Sequence, residues 1–388
     1  MKSIGSLPDF AARLRRLIRA SARRTSPQER SPLDAESQAR PGPWRGCLPD
    51  TEFNSLALEL FALQFERNAP YRRICQARAV SPAGAPDWSR IPAAPAVAFK
   101  ELELSCLPPG QRTAVFYSSG TTGERPSRHF HNGQSLALYE ASLAAWFEAN
   151  VMDCGCPVDD WRLAILSPAP EQAPHSSLVH MFEIVRRRLG SPASAFLGKS
   201  APDGAWSLDP EAALAALQSS VHSAKPLLLL GTAFMFVHLL DHLAKQGPEL
   251  ELPLGSSAME TGGYKGRSRV LPASQLRALI TRRLGIPSAR IIREYGMSEL
   301  SSQAYAGPPG SARPFRFPAW ARAQIISPET GQEVSEGQTG LLRVFDLANV
   351  FSVLAIQTED LAVRRADGFE LLGRAALAEP RGCSLMAR

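Results

Sequence analysis

A chain of 388 residues, 44% hydrophobic and 21% charged, is long enough to bury a sizeable core and too apolar to be a disordered tether. Its net charge of +6 is unevenly spread, and neither zinc-finger spacing nor an RNA-binding aromatic signature accompanies it, so no nucleic-acid partner is expected. Six scattered cysteines fit a reduced cytoplasm better than a disulfide framework, and with no signal-peptide core or apolar run of membrane-spanning length a cytoplasmic location is expected.

Residues 1–50 are rich in Arg, Pro and Ser. Within them Phe10, Leu14, Leu17 and Ile18 are spaced as one helix face, beside Arg13, Arg15, Arg16, Arg19, Arg23 and Arg24. Such a basic amphipathic helix suits a membrane surface, an acidic partner or RNA; a solvated extension of loose order is the preferred reading. Residues 53–71 have helical periodicity, and prolines at 82, 86, 92 and 95 then interrupt regular structure. From there strands and helices alternate: strand 113–117, helix 135–150, strand 162–167, helix 176–189, strand 227–230, helix 232–245, helix 273–284 and strand 290–295. Gly231-Thr232 reads as the turn between its strand and helix. This alternation predicts an α/β fold with a largely parallel sheet over 51–315. Past 315 the pattern turns to short alternating strands, at 322–326, 340–345 and 352–357 and in a hairpin at 361–372, with Pro328-Glu329-Thr330-Gly331 and Ala366-Asp367-Gly368 supplying turns. A smaller β-rich subdomain is expected at 316–374, and a mobile arm carrying Cys383 at 375–388.

Four motifs carry chemistry. Ser118-Ser119-Gly120-Thr121-Thr122-Gly123 follows the first of those strands; its glycines permit a tight bend, and its hydroxyls and free N–H groups can converge on polyphosphate oxygens. Glu294-Tyr295-Gly296-Met297-Ser298-Glu299 ends a strand. Gln357-Thr358-Glu359-Asp360 and Asp367-Gly368-Phe369-Glu370-Leu371-Leu372-Gly373-Arg374 complete the order.

In these four motifs, and in Glu260-Thr261-Gly262-Gly263-Tyr264-Lys265-Gly266 and the tail Arg381-Gly382-Cys383-Ser384-Leu385-Met386, the chain resembles the acyl-protein synthetase (LuxE-like) family of the adenylate-forming acyl-activating superfamily. The resemblance covers nearly everything after residue 50. It implies an adenylate-forming-enzyme-like core of layered α/β sheets, with ATP and Mg²⁺ as cofactors. It also assigns roles. Ser118, Ser119, Gly120, Thr121, Thr122 and Gly123 would hold the β- and γ-phosphates, and Gly262 and Gly263 would flank the adenine. Tyr295 would pack near the base or the acyl carboxylate, Ser298 would bond the α-phosphate, Glu299 would hold Mg²⁺, Asp360 would accept the ribose hydroxyls, and Arg374 would close the site at a hinge. The implied reaction joins a fatty acid to AMP and releases pyrophosphate. Cys383 would then take the acyl group as a thioester and deliver it to an acyl reductase partner.

Lysine occurs only at 2, 100, 199, 225, 245 and 265, and only 14 residues follow Arg374, so no full lid domain bearing a catalytic lysine is expected. Cys383 lies nine residues beyond Arg374, a stretch of at most roughly 30 Å when extended, which reaches back to the site. Three rivals stay open: a shortened acyl- or aryl-CoA ligase, an adenylating enzyme loading a carrier protein, and a non-enzymatic scaffold. Other features read as bland. Gly198-Lys199-Ser200 lacks the first glycine of a phosphate loop, Cys154 and Cys156 have no matching metal-ligand pair, and His238 and His242 are expected in core or interface. His129 and His131 either line the loop's mouth or flank a strand. Arg125 or Arg128 is expected to stand in for the lysine that often follows such a loop. Leu136, Ala144, Phe234 and Phe236 line an apolar tunnel or belong to the core.

Overall fold

The computed structural model describes residues 5–24, 48–118, 125–151, 161–202, 204–246, 250–264, 268–307 and 313–375. The elements in chain order begin with α1 (Leu7–Arg24), α2 (Asp50–Arg67) and α3 (Ala69–Ala77), then β1 (Ala94–Pro95), α4 (Ala98–Glu101), β2 (Ala114–Tyr117), β3 (Arg128–His131) and α5 (Gly133–Val151). The alternating section follows as β4 (Arg162–Leu166), α6 (Ser177–Leu189), β5 (Ala195–Phe196), β6 (Gly198–Ser200), β7 (Trp206–Leu208), α7 (Pro210–Ser223), β8 (Leu227–Thr232), α8 (Ala233–Gln246), β9 (Ser257–Thr261), α9 (Ala273–Leu284), β10 (Ile291–Tyr295) and β11 (Ala304–Ala306). The chain then continues through β12 (Ala321–Ile326), β13 (Thr339–Asp346), β14 (Ala355–Arg365) and β15 (Gly368–Arg374).

Six strands form a sheet in the order β11-β10-β9-β8-β4-β5, parallel except for β11 at the edge. Buried on both faces, β8 and β9 need helices on each side. Leu228, Leu230, Met259 and Ile292 face a core shared with α5 and α6, while Leu227, Leu229, Ala258 and Ile291 face a second core with α7, α8 and α9. Local signals start and stop the helices. Asn132 and Ser135 exchange side-chain bonds with each other's amides at the start of α5, Asp209 caps α7, and Gly285, at φ +67, ends α9. A five-stranded sheet runs β1-β14-β13-β12, with β15 on the far half of β14. It draws β1 from the segment ahead of the parallel sheet, and one core takes in Phe53, Phe147, Trp320 and Phe345.

Four local readings are corrected. Residues 7–24 are no loose extension: Phe10, Leu14 and Ile18 are buried in the main core, where α1 packs on α5, and Arg13 reaches Glu59 at 2.5 Å. The helix expected over 53–71 breaks at Asn68, which is extended and whose carboxamide oxygen caps α3 through the Tyr71 amide at 3.0 Å; Pro70 has no N–H with which to continue α2. Gly231-Thr232 is the end of β8, paired with Glu260 and Thr261, rather than a turn; a Cβ on Gly231 would lie 2.9 Å from that of Leu166, so the glycine serves close strand packing. Finally, β14 starts at Ala355 because Ser352 turns to donate to the Leu104 carbonyl at 2.7 Å. Among the described residues no helix is long and apolar enough to cross a membrane.

Leu14 is 0% exposed. Leu14→Ala is therefore expected to lower unfolding free energy in urea by about 3 kcal/mol, against less than about 0.5 kcal/mol for a residue on a solvated extension.

Candidate active site

The carboxyl ends of parallel strands are where ligands bind in such sheets, because the loops there leave a crevice. At the end of β10 the Tyr295 hydroxyl donates to Asp360 Oδ2 at 2.6 Å, joining the parallel sheet to β14. Arg374 pairs with Asp360 across β14 and β15, its Nε 3.6 Å from Oδ1. Burial, then the Asp360 carboxylate, pushes the Tyr295 phenol well above its ordinary range, so it stays a donor. Its ring meets Phe315, Phe317 and Phe369 edge-on. A Cβ on Gly296 would lie 2.5 Å from Glu294 Oε1, so a side chain there would displace a carboxylate that is bonded to Thr261. Ser298 follows, buried, with its hydroxyl donating to Glu299 Oε2 at 3.0 Å.

A polar knot behind this segment holds it. The Glu299 carbonyl accepts from Asn349 Nδ2 at 2.8 Å, and the Ser301 hydroxyl donates to Asn349 Oδ1 at 2.6 Å. Asp346 accepts from the Ser301 amide at 2.9 Å, the Ser302 hydroxyl at 2.8 Å and the Ala348 amide at 3.0 Å. Gln64, on α2, donates to the Asn349 carbonyl at 2.8 Å and accepts from the Leu354 amide at 2.9 Å. All these side chains are buried, and burial lifts the Asp346 carboxyl to about 6 against the opposing pull of its hydrogen bonds.

The hairpin β2–β3 closes around the first motif. Ser118 N–H donates to the Ser127 carbonyl at 3.2 Å, and its hydroxyl accepts from the Ser127 amide at 2.9 Å. Ser119, Gly120, Thr121, Thr122 and Gly123 lie outside the described residues. One strand residue further, His129 Nδ1 lies 2.8 Å from the Ser298 carbonyl, which can only accept, so this nitrogen carries the proton. Burial lowers the imidazole to about 4 and keeps it neutral. The His131 ring lies beside it, tilted by 44° with the ring centroids 4.2 Å apart. Both histidines are buried in the hairpin, and neither lines an open mouth.

Gly262, at φ +66, and Gly263 follow β9, both exposed, and a Cβ on either would meet nothing within 4 Å. That leaves an open face of bare backbone beside the end of β10. Glu299 offers a buried carboxylate, and among the described residues no group of three or more His, Cys, Asp or Glu could hold a metal. This donor set fits Mg²⁺ shared between one carboxylate and a nucleotide's phosphates, not a cage built of protein alone.

The other candidates separate. Leu136 lies against the main core and Phe234 and Phe236 belong to the one on the sheet's other face, so they line no common tunnel. Lys199 lies on β6 and pairs with Asp209 at 2.7 Å, away from any phosphate loop. Arg125 is 81% exposed with only Glu101 at 3.8 Å, whereas Arg128 is paired with Glu103 at 3.4 Å. Cys154, Cys156 and Cys383 lie outside the described residues. Sequence reasoning missed the knot of Gln64, Asp346 and Asn349. One signal was available: a carboxamide at 64 sits next to Leu63 and one turn from Leu60 on a buried face.

The family model described as acyl-protein synthetase, LuxE, matches residues 38–388. The long-chain-fatty-acid–luciferin-component ligase of Vibrio harveyi is 21% identical over 337 residues, 84% of this chain and 84% of that one. Among solved structures, an open conformation of 2-hydroxyisobutyryl-CoA ligase with 2-HIB-AMP and CoA is similar at a TM-score of 0.60 and 14% identity, over 84% of this chain and 74% of that one. The same ligase in its postadenylation state with 2-HIB-AMP gives 0.62 and 14%, over 84% and 67%. At that identity the likeness is one of fold, and the fold is that of adenylate-forming ligases.

Asp346 titrates above the ordinary aspartate value of 3.8, so its protonated form stabilises the folded state below that pH and the contribution is lost as pH rises through about 6. The unfolding free energy of the protein relative to Asp346→Asn is expected to fall by on the order of 3 kcal/mol between acid and neutral pH. Chemical denaturation across that range reads it, and a flat difference contradicts the burial argument.

Proposed function

Because the chain belongs to the acyl-protein synthetase family, a family of ligases, we propose that it activates a fatty acid with ATP and then carries the acyl group on Cys383. The observation that carries this reading is the junction at Tyr295 and Asp360. It brings three motifs, ending at Glu299, Asp360 and Arg374, to one edge, and His129 ties the stem of the fourth to Ser298.

In this reading ATP lies across that edge. The 118–123 loop takes its β- and γ-phosphates, the open backbone of Gly262 and Gly263 takes the adenine face, and Asp360 accepts from the ribose hydroxyls. Asp360 is reachable, at 14% side-chain exposure, and its Oδ1 is bonded only loosely by Arg374. The Ser298 hydroxyl, already turned toward Glu299, donates to an α-phosphate oxygen. Bound Mg²⁺ supplies positive charge against the phosphoryl oxygens as negative charge spreads over them. Glu299 holds that charge in place, and neutral His129 fixes the Ser298 backbone without adding a competing cation. The fatty carboxylate forms a bond to the α-phosphorus as the bond to pyrophosphate breaks, which leaves acyl-AMP. The Cys383 thiolate then attacks the acyl carbon, AMP departs, and a thioester remains for an acyl reductase partner. Arg381 and Arg388 favour the thiolate.

Acid-dependent ATP–pyrophosphate exchange tests the first half. Glu299→Gln removes one negative charge at the phosphates and is expected to lower exchange by about 100-fold or more; exchange within about twofold of the parent protein removes Glu299 from this role. Labelled fatty acid with ATP tests the second half. Cys383→Ala is expected to keep exchange and to lose the hydroxylamine-sensitive label on the protein. A persistent label excludes Cys383, and label recovered as free acyl-CoA when coenzyme A is added, with none on the protein, points to a CoA ligase.

A further inference from the structure

One row of side chains crosses the six-stranded sheet just beneath the site. Register aligns Thr232 with Thr261, Thr261 with Glu294, and Glu294 with Tyr305, on four neighbouring strands. Alternation along each strand places them on the face toward α5, above Leu230, Met259 and Ile292. The change from an apolar row to a wholly polar one is abrupt, and every member is buried.

These groups are not satisfied by one another. The Thr261 hydroxyl is bonded to Glu294. The Thr232 hydroxyl oxygen, the Tyr305 hydroxyl and the nearby Gln303 Oε1 are all buried without a hydrogen-bond partner. Gln303 belongs to the same cluster, because the Cβ position of Gly296 touches both its Cγ, at 3.5 Å, and Glu294 Oε1, at 2.5 Å. Tyr139 closes the cluster from α5, where burial first and then the Glu294 charge disfavour its ionisation. Buried polar atoms are nearly always paired in folded proteins, so several orphans in one layer mark a place where a partner from outside belongs. Here the layer lies at the carboxyl ends of the strands. Gly262 follows Thr261 directly, and Gly296 and Ser298 follow Glu294 by two and four residues.

We propose that Thr232, Thr261, Glu294 and Tyr305, with Gln303, select the acid to be activated, and that this acid carries a hydroxyl group close to its carboxyl end. This deepens the adenylation reading above and rests on it. A hydroxyl both donates and accepts, which suits a set in which Gln303 Oε1 can only accept while Thr232 and Tyr305 can do either. A plain alkyl segment in the same position leaves the orphan it faces unpaired. Burial holds the Glu294 carboxyl near 7, so close to neutral pH it too serves as donor or acceptor at little cost.

The test is ATP–pyrophosphate exchange by the full chain with matched pairs of acids: butanoic, octanoic, dodecanoic and hexadecanoic acid, each against its 2-hydroxy and 3-hydroxy derivatives. The quantity read is the ratio of kcat/KM for a hydroxy acid over its plain counterpart. At the preferred chain length that ratio is expected to be about 10 or more for one of the two hydroxyl positions. Thr232→Val and Tyr305→Phe each remove a single hydroxyl at opposite ends of the row, three strand spacings or roughly 14 Å apart, and the one that faces the substrate hydroxyl is expected to reduce the ratio about fivefold or more. Equal use of plain and hydroxy acids by the parent protein overturns the proposal, as does a ratio unchanged in both variants, while leaving adenylation standing. Exchange with none of the acids overturns the adenylation reading, and this proposal falls with it.

Discussion

The structure depends above all on the buried polar knot of Asp346, Asn349, Ser301, Ser302 and Gln64. A buried polar group without its partner is costly, and here each partner comes from a different element. Gln64 is on α2, Asp346 ends β13, and the serines follow the segment that carries Ser298 and Glu299. None of these elements can leave its place without stranding polar atoms of the other two. The knot therefore sets where Glu299 stands relative to the antiparallel sheet, and so where the edge bearing Tyr295, Ser298 and Glu299 lies.

That edge is the seam between two sheets of different kind. The parallel sheet delivers strand ends and glycine-bearing loops; the antiparallel sheet delivers Asp360 and Arg374. Beside the knot, Tyr295 bonds Asp360 across the seam, and His129, on β3, bonds the Ser298 carbonyl. Both donors are kept in the required state by burial, which raises the phenol and lowers the imidazole. Local electrostatics thus preserve a fixed donor geometry near neutral pH, and the largely exposed Arg374 is the charge paired with Asp360.

Much of this was legible from residue order. The strands and helices of the parallel section announce themselves through apolar runs bounded by capping residues, because those signals act within a few residues of each other. Helix α9 falls where its spacing predicted, and β10 begins one residue later than expected. The motif order also carried the resemblance to an adenylate-forming fold, because each motif is a short local stretch that can be recognised without its neighbours in space. Readings failed where a local signal was overruled by a remote one. The basic stretch of α1 looked solvated because six arginines stand among its apolar residues, yet Phe10, Leu14 and Ile18 line up in the core where α1 packs on α5. Gly231 looked like a turn because glycine serves both turns and tight strand contacts, and only the position of Leu166 distinguishes them.

By itself, then, the sequence determined most strands and helices of the parallel section and the α/β fold class they belong to. It did so because backbone preference, side-chain periodicity and turn chemistry are properties of neighbouring residues. Only the tertiary structure decided that Gln64 and Asn349, 285 positions apart, share one buried network. It alone decided that His129 holds Ser298, and that Thr232, Thr261, Glu294 and Tyr305 stand in a single row. Those relations follow from strand register and sheet order, which are fixed when whole faces are buried together, and no local stretch of the chain encodes them.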